Sequence, residues 1–140
     1  MRRSGEIRRS GWRLFTWPVL GVGLIWTLVE GARLKLRSAG IDAQRFRVGA
    51  FGSDHGERSA LPAIAQRRVR EQLGFEAAGH DVVIMGDTPA DVTCGRGIGA
   101  RAIAVATGSY SVPDLIAAGA FTAFTDFADT AAVVASIFTP

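Results

Sequence analysis

Two aspartates stand directly after an apolar run of strand length, in the segment Gly86-Asp87-Thr88-Pro89-Ala90-Asp91. Carboxylates four residues apart across a strand-to-helix turn can face one cleft. Hard oxygen donors of that kind suit Mg²⁺, which commonly takes one or two carboxylates and completes its shell with water and phosphate oxygens. Asp87 precedes the helix, so capping does not explain it. Capping can explain Asp91, because Thr88-x-x-Asp91 is a capping-box spacing and an acid in the first turn favours the helix dipole. For Asp91, cap and cation site are therefore equal readings. Gly86 is read as the residue that lets the chain turn sharply at the strand end.

A second chemistry-bearing stretch is Gly52-Ser53-Asp54-His55-Gly56-Glu57-Arg58. Asp54 and His55 could form an acid–base pair, but neighbours in a Gly-Ser turn more often punctuate the loop. Arg58 offers a fixed positive charge that can grip a phosphoryl oxygen bidentately. On position alone it reads as an ordinary exposed arginine. Thr107-Gly108-Ser109 would admit a close ligand, or would simply make a turn. Cys94 falls inside a helical stretch without a base partner and reads as packing.

These residues need elements to hold them. Glu30–Ala39 has helical spacing and a stop at Gly40. Residues 46–51 read as a short strand, and Leu61–Leu73 as a helix with Pro62 in its first turn and Gly74 closing it. Strand 81–85, helix 89–98, strand 101–106, helix 112–118, strand 121–124 and helix 129–138 follow. Strands alternating with short helices predict an α/β fold with a parallel sheet. Such sheets bind ligands beyond the carboxyl ends of their strands, where Asp87 stands.

Composition narrows the function. One cysteine and two histidines exclude a disulfide framework and a Cys- or His-rich metal centre. The net charge of +3 comes from the first 13 residues, where five arginines face Glu6. The remainder is close to neutral and offers no broad phosphate-binding face, so no nucleic-acid partner is expected. Residues 14–29 carry no charge. As a helix they would reach roughly 24 Å, short of a bilayer core of about 30 Å. A buried strand at 19–26 fits this run, behind a basic and apolar leader at 1–18. The expected place is the cytoplasm, with membrane attachment through 14–29 as the alternative.

The block Gly86-Asp87-Thr88-Pro89-Ala90-Asp91-Val92, then Gly99-Ala100 and the strand ending Val105-Ala106-Thr107-Gly108, resembles the carboxyl-terminal half of a haloacid dehalogenase (HAD) superfamily hydrolase. Val48 to His55, with Arg58 and Leu61-Pro62, is similar to the phosphoglycolate-phosphatase-like branch. The resemblance covers about residues 30–138. It implies a three-layer, Rossmann-like core and hydrolysis of a small phosphorylated metabolite with Mg²⁺ through an aspartyl-phosphate. It also implies roles: Asp87 and Asp91 would help hold the metal, and Arg58 would stand where the family usually has Lys, stabilising the nucleophile and the transferring phosphoryl group. Thr27, Asp54, His55 and Thr88 would be loop or phosphate-contacting positions.

Departures from the family pattern are equally plain. No Asp precedes Asp42, so the Asp-x-Asp nucleophile motif is missing. By register Trp26 takes the place of the second motif's hydroxyl residue, and Thr27, one residue on, would face the other way in a strand. The cap domain is also absent. The expectation is an incomplete core domain over 19–140, lacking the family's first strand, with impaired activity and self-association through unpaired strands. A non-catalytic binding module, or a membrane-tethered domain, is the alternative. The Arg- and Trp-rich residues before 29 are unlike the family, as an out-of-frame or wrongly started amino terminus would be.

Overall fold

The computed structural model describes residues 29–139, and the leader, the strand expected at 19–26 and Thr27 lie outside them. The chain enters on helix α1 (Val29–Ser38), makes a 3₁₀ turn at Ala43–Arg45, and continues without regular structure to a second 3₁₀ turn, Arg58–Ala60. Helix α2 (Leu61–Leu73) follows directly. Then β1 (Val83–Gly86), α3 (Pro89–Cys94), β2 (Arg101–Val105), α4 (Val112–Ala117), β3 (Thr122–Phe124) and α5 (Thr130–Phe138) alternate as expected.

The three strands form a parallel sheet in the order β1-β2-β3. Val83 pairs with Arg101 and Gly86 with Ala104, while Ile103 pairs with Thr122 and Val105 with Phe124. Strands joined through helices in this way must run parallel, because the helix returns the chain to the same end of the sheet. The architecture is α/β and consistent with an incomplete Rossmann-like fold. Among the described residues β1 is an edge.

The core is small and alanine-rich where helices meet the sheet. Val92 of α3, Ala102 and Ala104 of β2 and Leu115 of α4 form one buried cluster. Alanines at alternate positions of β2 let α3 and α4 settle close to the strand. Every residue of β2 after Arg101 is buried, as befits a strand between two others. A second cluster, Ala50, Leu61 and Ala65, seats the start of α2 on the preceding segment.

One expected element does not form. Residues 46–51 make no strand beyond a single bridge residue at Phe51. Val48 and Ala50 are buried all the same. Their β-type alternation reports burial correctly, but a strand also needs a ladder partner, and the three-stranded sheet supplies none to this segment. Helix 89–98 is likewise shorter than read: α3 ends at Cys94, and a 3₁₀ turn at Arg96–Ile98 completes the stretch. Gly74 caps α2 with φ +64°, a left-handed conformation that favours glycine. No helix among the described residues is long and apolar enough to cross a membrane.

Candidate functional site

The site is built on the turn from β1 into α3. Thr88 is the N-cap of α3, in extended conformation, and Pro89 occupies the first turn where its missing N–H costs nothing. The backbone N–H of Asp91 donates to Thr88 Oγ1 at 3.2 Å, while Thr88 N–H and Oγ1–H both donate to Asp91 Oδ2, at 3.1 and 2.7 Å. This is a complete capping box. Asp91 therefore does serve the cap.

Asp91 is also held from a second direction. Arg58 reaches across 33 positions of sequence and donates through Nη2 to Asp91 Oδ1. Asp91 is 6% exposed, and the Arg58 side chain keeps 23% of its surface. A buried carboxylate is tolerated only with such partners. Both oxygens of Asp91 are thus engaged by protein donors. Arg58 retains a buried donor, Nε, that has no hydrogen-bond partner among the described residues. Leaving a buried N–H unmatched costs about 1–3 kcal/mol.

Asp87 differs. It sits just past β1, half-buried, and no described residue donates a hydrogen bond to its carboxylate. Its Oδ2 lies against Gly108 in the loop after β2. An open carboxylate at a strand mouth is chemically suited to a hard cation, with water and phosphate oxygens filling the remaining positions. The described residues hold no group of three acidic, His or Cys side chains arranged as a full metal cage. The donor set therefore fits an ion anchored by one free carboxylate rather than one enclosed by protein ligands.

Gly86, read from sequence as a sharp turn, has another reason to be glycine. It shows no positive φ. A Cβ there would overlap Asp91 Cβ and Cγ, so the absent side chain is what lets the buried carboxylate dock against the strand.

Asp54 and His55 are not brought to this site and do not act as a pair. Asp54 is clamped by Arg68 of α2, which donates from Nη1 to Oδ2 at 2.8 Å and from Nη2 to Oδ1 at 2.7 Å. Phe51 N–H adds a third bond to Oδ2 at 2.8 Å, and Arg68 also reaches Gly49 O at 2.6 Å. The Arg68 hydrogen bond holds the Asp54 carboxyl below its ordinary value, and Asp54 raises the Arg68 guanidinium in return. His55 accepts from Glu57 N–H at Nδ1, 3.0 Å, and is exposed. Both Asp54 and His55 border an open groove of about 780 Å³ beside α2, whose lining includes neither Arg58 nor Asp87, Thr88 or Asp91. Cys94 is buried and donates to Asp91 O at 3.1 Å. Burial pushes its thiol pKa up, away from the thiolate form that a reactive cysteine needs.

The sequence does not mark Arg68 as the partner of Asp54. Nothing in an arginine-rich helix marks the one that meets an aspartate 14 positions earlier.

A parallel α/β sheet with a carboxylate at the mouth of β1, and an arginine brought in from a distant loop, defines a strand-end site of the Rossmann-like kind. The family profile described as HAD-hydrolase-like matches residues 58–131, just over half of the chain, and the chain belongs to that family. The matched span begins at Arg58 and includes Asp87, Thr88, Asp91 and all three strands. Among curated proteins no match is found.

Proposed function

We propose that the chain carries the cation- and phosphoryl-holding part of a Mg²⁺-dependent phosphatase site of the phosphoglycolate-phosphatase type, and that it does not turn substrate over alone. The observation that supports this is the pairing of an open carboxylate, Asp87, with a fixed Arg58–Asp91 unit in one β1–α3 turn. In this reading Asp87 takes the cation directly. Asp91 holds the site at one remove, fixing Arg58 and the first turn of α3. The Arg58 guanidinium, held by Asp91 and still 23% exposed, is the fixed positive charge that an oxyanion such as a phosphoryl group would meet. Mg²⁺, when bound, would neutralise phosphate charge and orient the ester.

Covalent phosphoryl transfer also needs an attacking group. The sequence has no aspartate before Asp42, so the Asp-x-Asp nucleophile of the family has no counterpart here. The proposed activity of these residues is therefore binding, with hydrolysis left to an attacking group they do not themselves supply. The ligand class is a small phosphate monoester.

Calorimetric titration with Mg²⁺, and phosphate release from 2-phosphoglycolate and p-nitrophenyl phosphate, test the proposal together. The expected result is saturable Mg²⁺ binding that Asp87→Asn removes, with no phosphate release. Absence of Mg²⁺ binding sinks the cation assignment. Turnover by the pure chain that Asp87→Asn abolishes would restore it as a working enzyme; turnover that survives the substitution marks a contaminant.

A further inference from the structure

Gly108 has no conformational reason to be glycine. Its φ is not in the left-handed region, unlike those of Gly40, Gly74, Gly99 and Gly119. Its φ therefore does not bar an alanine, which would also restrict the unfolded chain in favour of folding. What excludes a side chain is a contact. A Cβ at position 108 would overlap Asp87 Oδ2 and come within 3.2 Å of its Cγ. The loop Thr107-Gly108-Ser109 leaves β2, which is the strand paired with β1, so the sheet register itself brings this loop beside the residue that follows Gly86. Gly86 pairs with Ala104, and the two strand ends then deliver Asp87 and the 107–109 loop to the same edge of the sheet.

The geometry points to Gly108 as a positioning residue for the Asp87 carboxylate: the loop after β2 is a wall of the candidate cation site, and its missing side chain sets where that carboxylate rests. This inference builds on the cation reading above. The two acids are each seated against a glycine, but with different tolerance. Asp91 is buried and bonded on both oxygens, so Gly86 faces a partner that cannot yield. Asp87 is half-buried and receives no hydrogen bond from a described residue, so a methyl group at 108 would turn the carboxylate aside rather than unfold the chain. The effect should therefore fall on the direction of the carboxylate and on cation affinity.

The test compares Gly108→Ala with Gly97→Ala, a control whose added Cβ would meet nothing within 4 Å. Two readouts are taken on the full chain: the Asp87 χ1 rotamer, from three-bond couplings without metal, and Mg²⁺ affinity by calorimetry. The expected result is a changed χ1 distribution and about tenfold weaker Mg²⁺ binding in Gly108→Ala, the scale seen when a ligand loses its orienting support. Gly97→Ala should change neither. If wild type binds Mg²⁺ and Gly108→Ala leaves χ1 and affinity unchanged, the positioning role is overturned while the cation site stands. If wild type does not bind Mg²⁺, the cation site fails and this inference fails with it. Should Gly108→Ala not fold, the double variant with Asp87→Ala decides: removal of the carboxylate should restore folding if the clash is with Asp87, and continued misfolding overturns the inference.

Discussion

Two arginine–aspartate pairs tie distant parts of this chain together, and they differ in what is left over. Arg68 and Asp54 form a bidentate pair between α2 and the turn after Phe51, with Phe51 N–H and Gly49 O drawn in as further partners. The Asp54 carboxylate is matched on both oxygens, and the cluster is a clip. Arg58 and Asp91 also bridge distant segments, and the carboxylate is again matched on both oxygens. Here, however, Arg58 keeps an unmatched buried Nε, and Asp87 stands open four residues before Asp91. Similar residue types serve cohesion in one place and, in the proposed reading, leave binding capacity in the other. A satisfied polar network stabilises; a partly satisfied one at a strand mouth is where a ligand has something to complete.

Four perturbations probe this contrast. Asp91→Ala should have the largest effect, about 3 kcal/mol or more in urea denaturation, because it removes the carboxylate half of the capping box and strands a partly buried arginine. A loss under about 1 kcal/mol would mean that Arg58 is solvated independently, and that the two pairs are alike. Arg68→Ala should cost about 2 kcal/mol, less than the buried pair because the Asp54 side chain it leaves behind is 21% exposed, against 9% for Asp91. It should leave Mg²⁺ binding unchanged, which separates the clip from the site.

Acid should weaken the clip in a defined window. The Arg68 hydrogen bond holds the Asp54 carboxyl below its ordinary value of 3.8. A carboxyl whose folded pKa lies below the unfolded one contributes stability above the unfolded value and loses it as pH falls through the folded value. Stability measured by thermal melts should therefore drop below about pH 4, and the drop should be shallower in Arg68→Ala. Equal acid slopes would deny that the pair contributes to acid sensitivity. The smallest effect belongs to Asp87→Asn, expected within about 0.5 kcal/mol of wild type, since no described donor depends on that carboxylate. A large destabilisation would recast Asp87 as structural.

Much of this was legible in the chain. The strand-helix alternation from Asp81 onward follows from β-branched runs, prolines in first turns and glycines at helix ends, all local signals with local causes. Thr88-Pro89-Ala90-Asp91 announced its capping box for the same reason: every partner lies within one turn. The segment 46–51 misled because burial and strand pairing share one pattern, and the pattern does not say whether a neighbouring strand exists. Asp54-His55 reads as loop punctuation sooner than as a pair, because adjacency in sequence places side chains near each other without aiming them at one another, and each takes a separate partner.

Residue order along the chain thus set the elements, their parallel pairing and the presence of carboxylates at a strand end, since short-range sterics and hydrophobic period act on neighbours. Which arginine meets which aspartate, why Gly86 and Gly108 carry no side chain, and which acid remains open were settled when the segments packed. Those outcomes depend on how a strand, a helix and loops 5 to 33 positions apart pack against one another, and such distances come into being only with the fold.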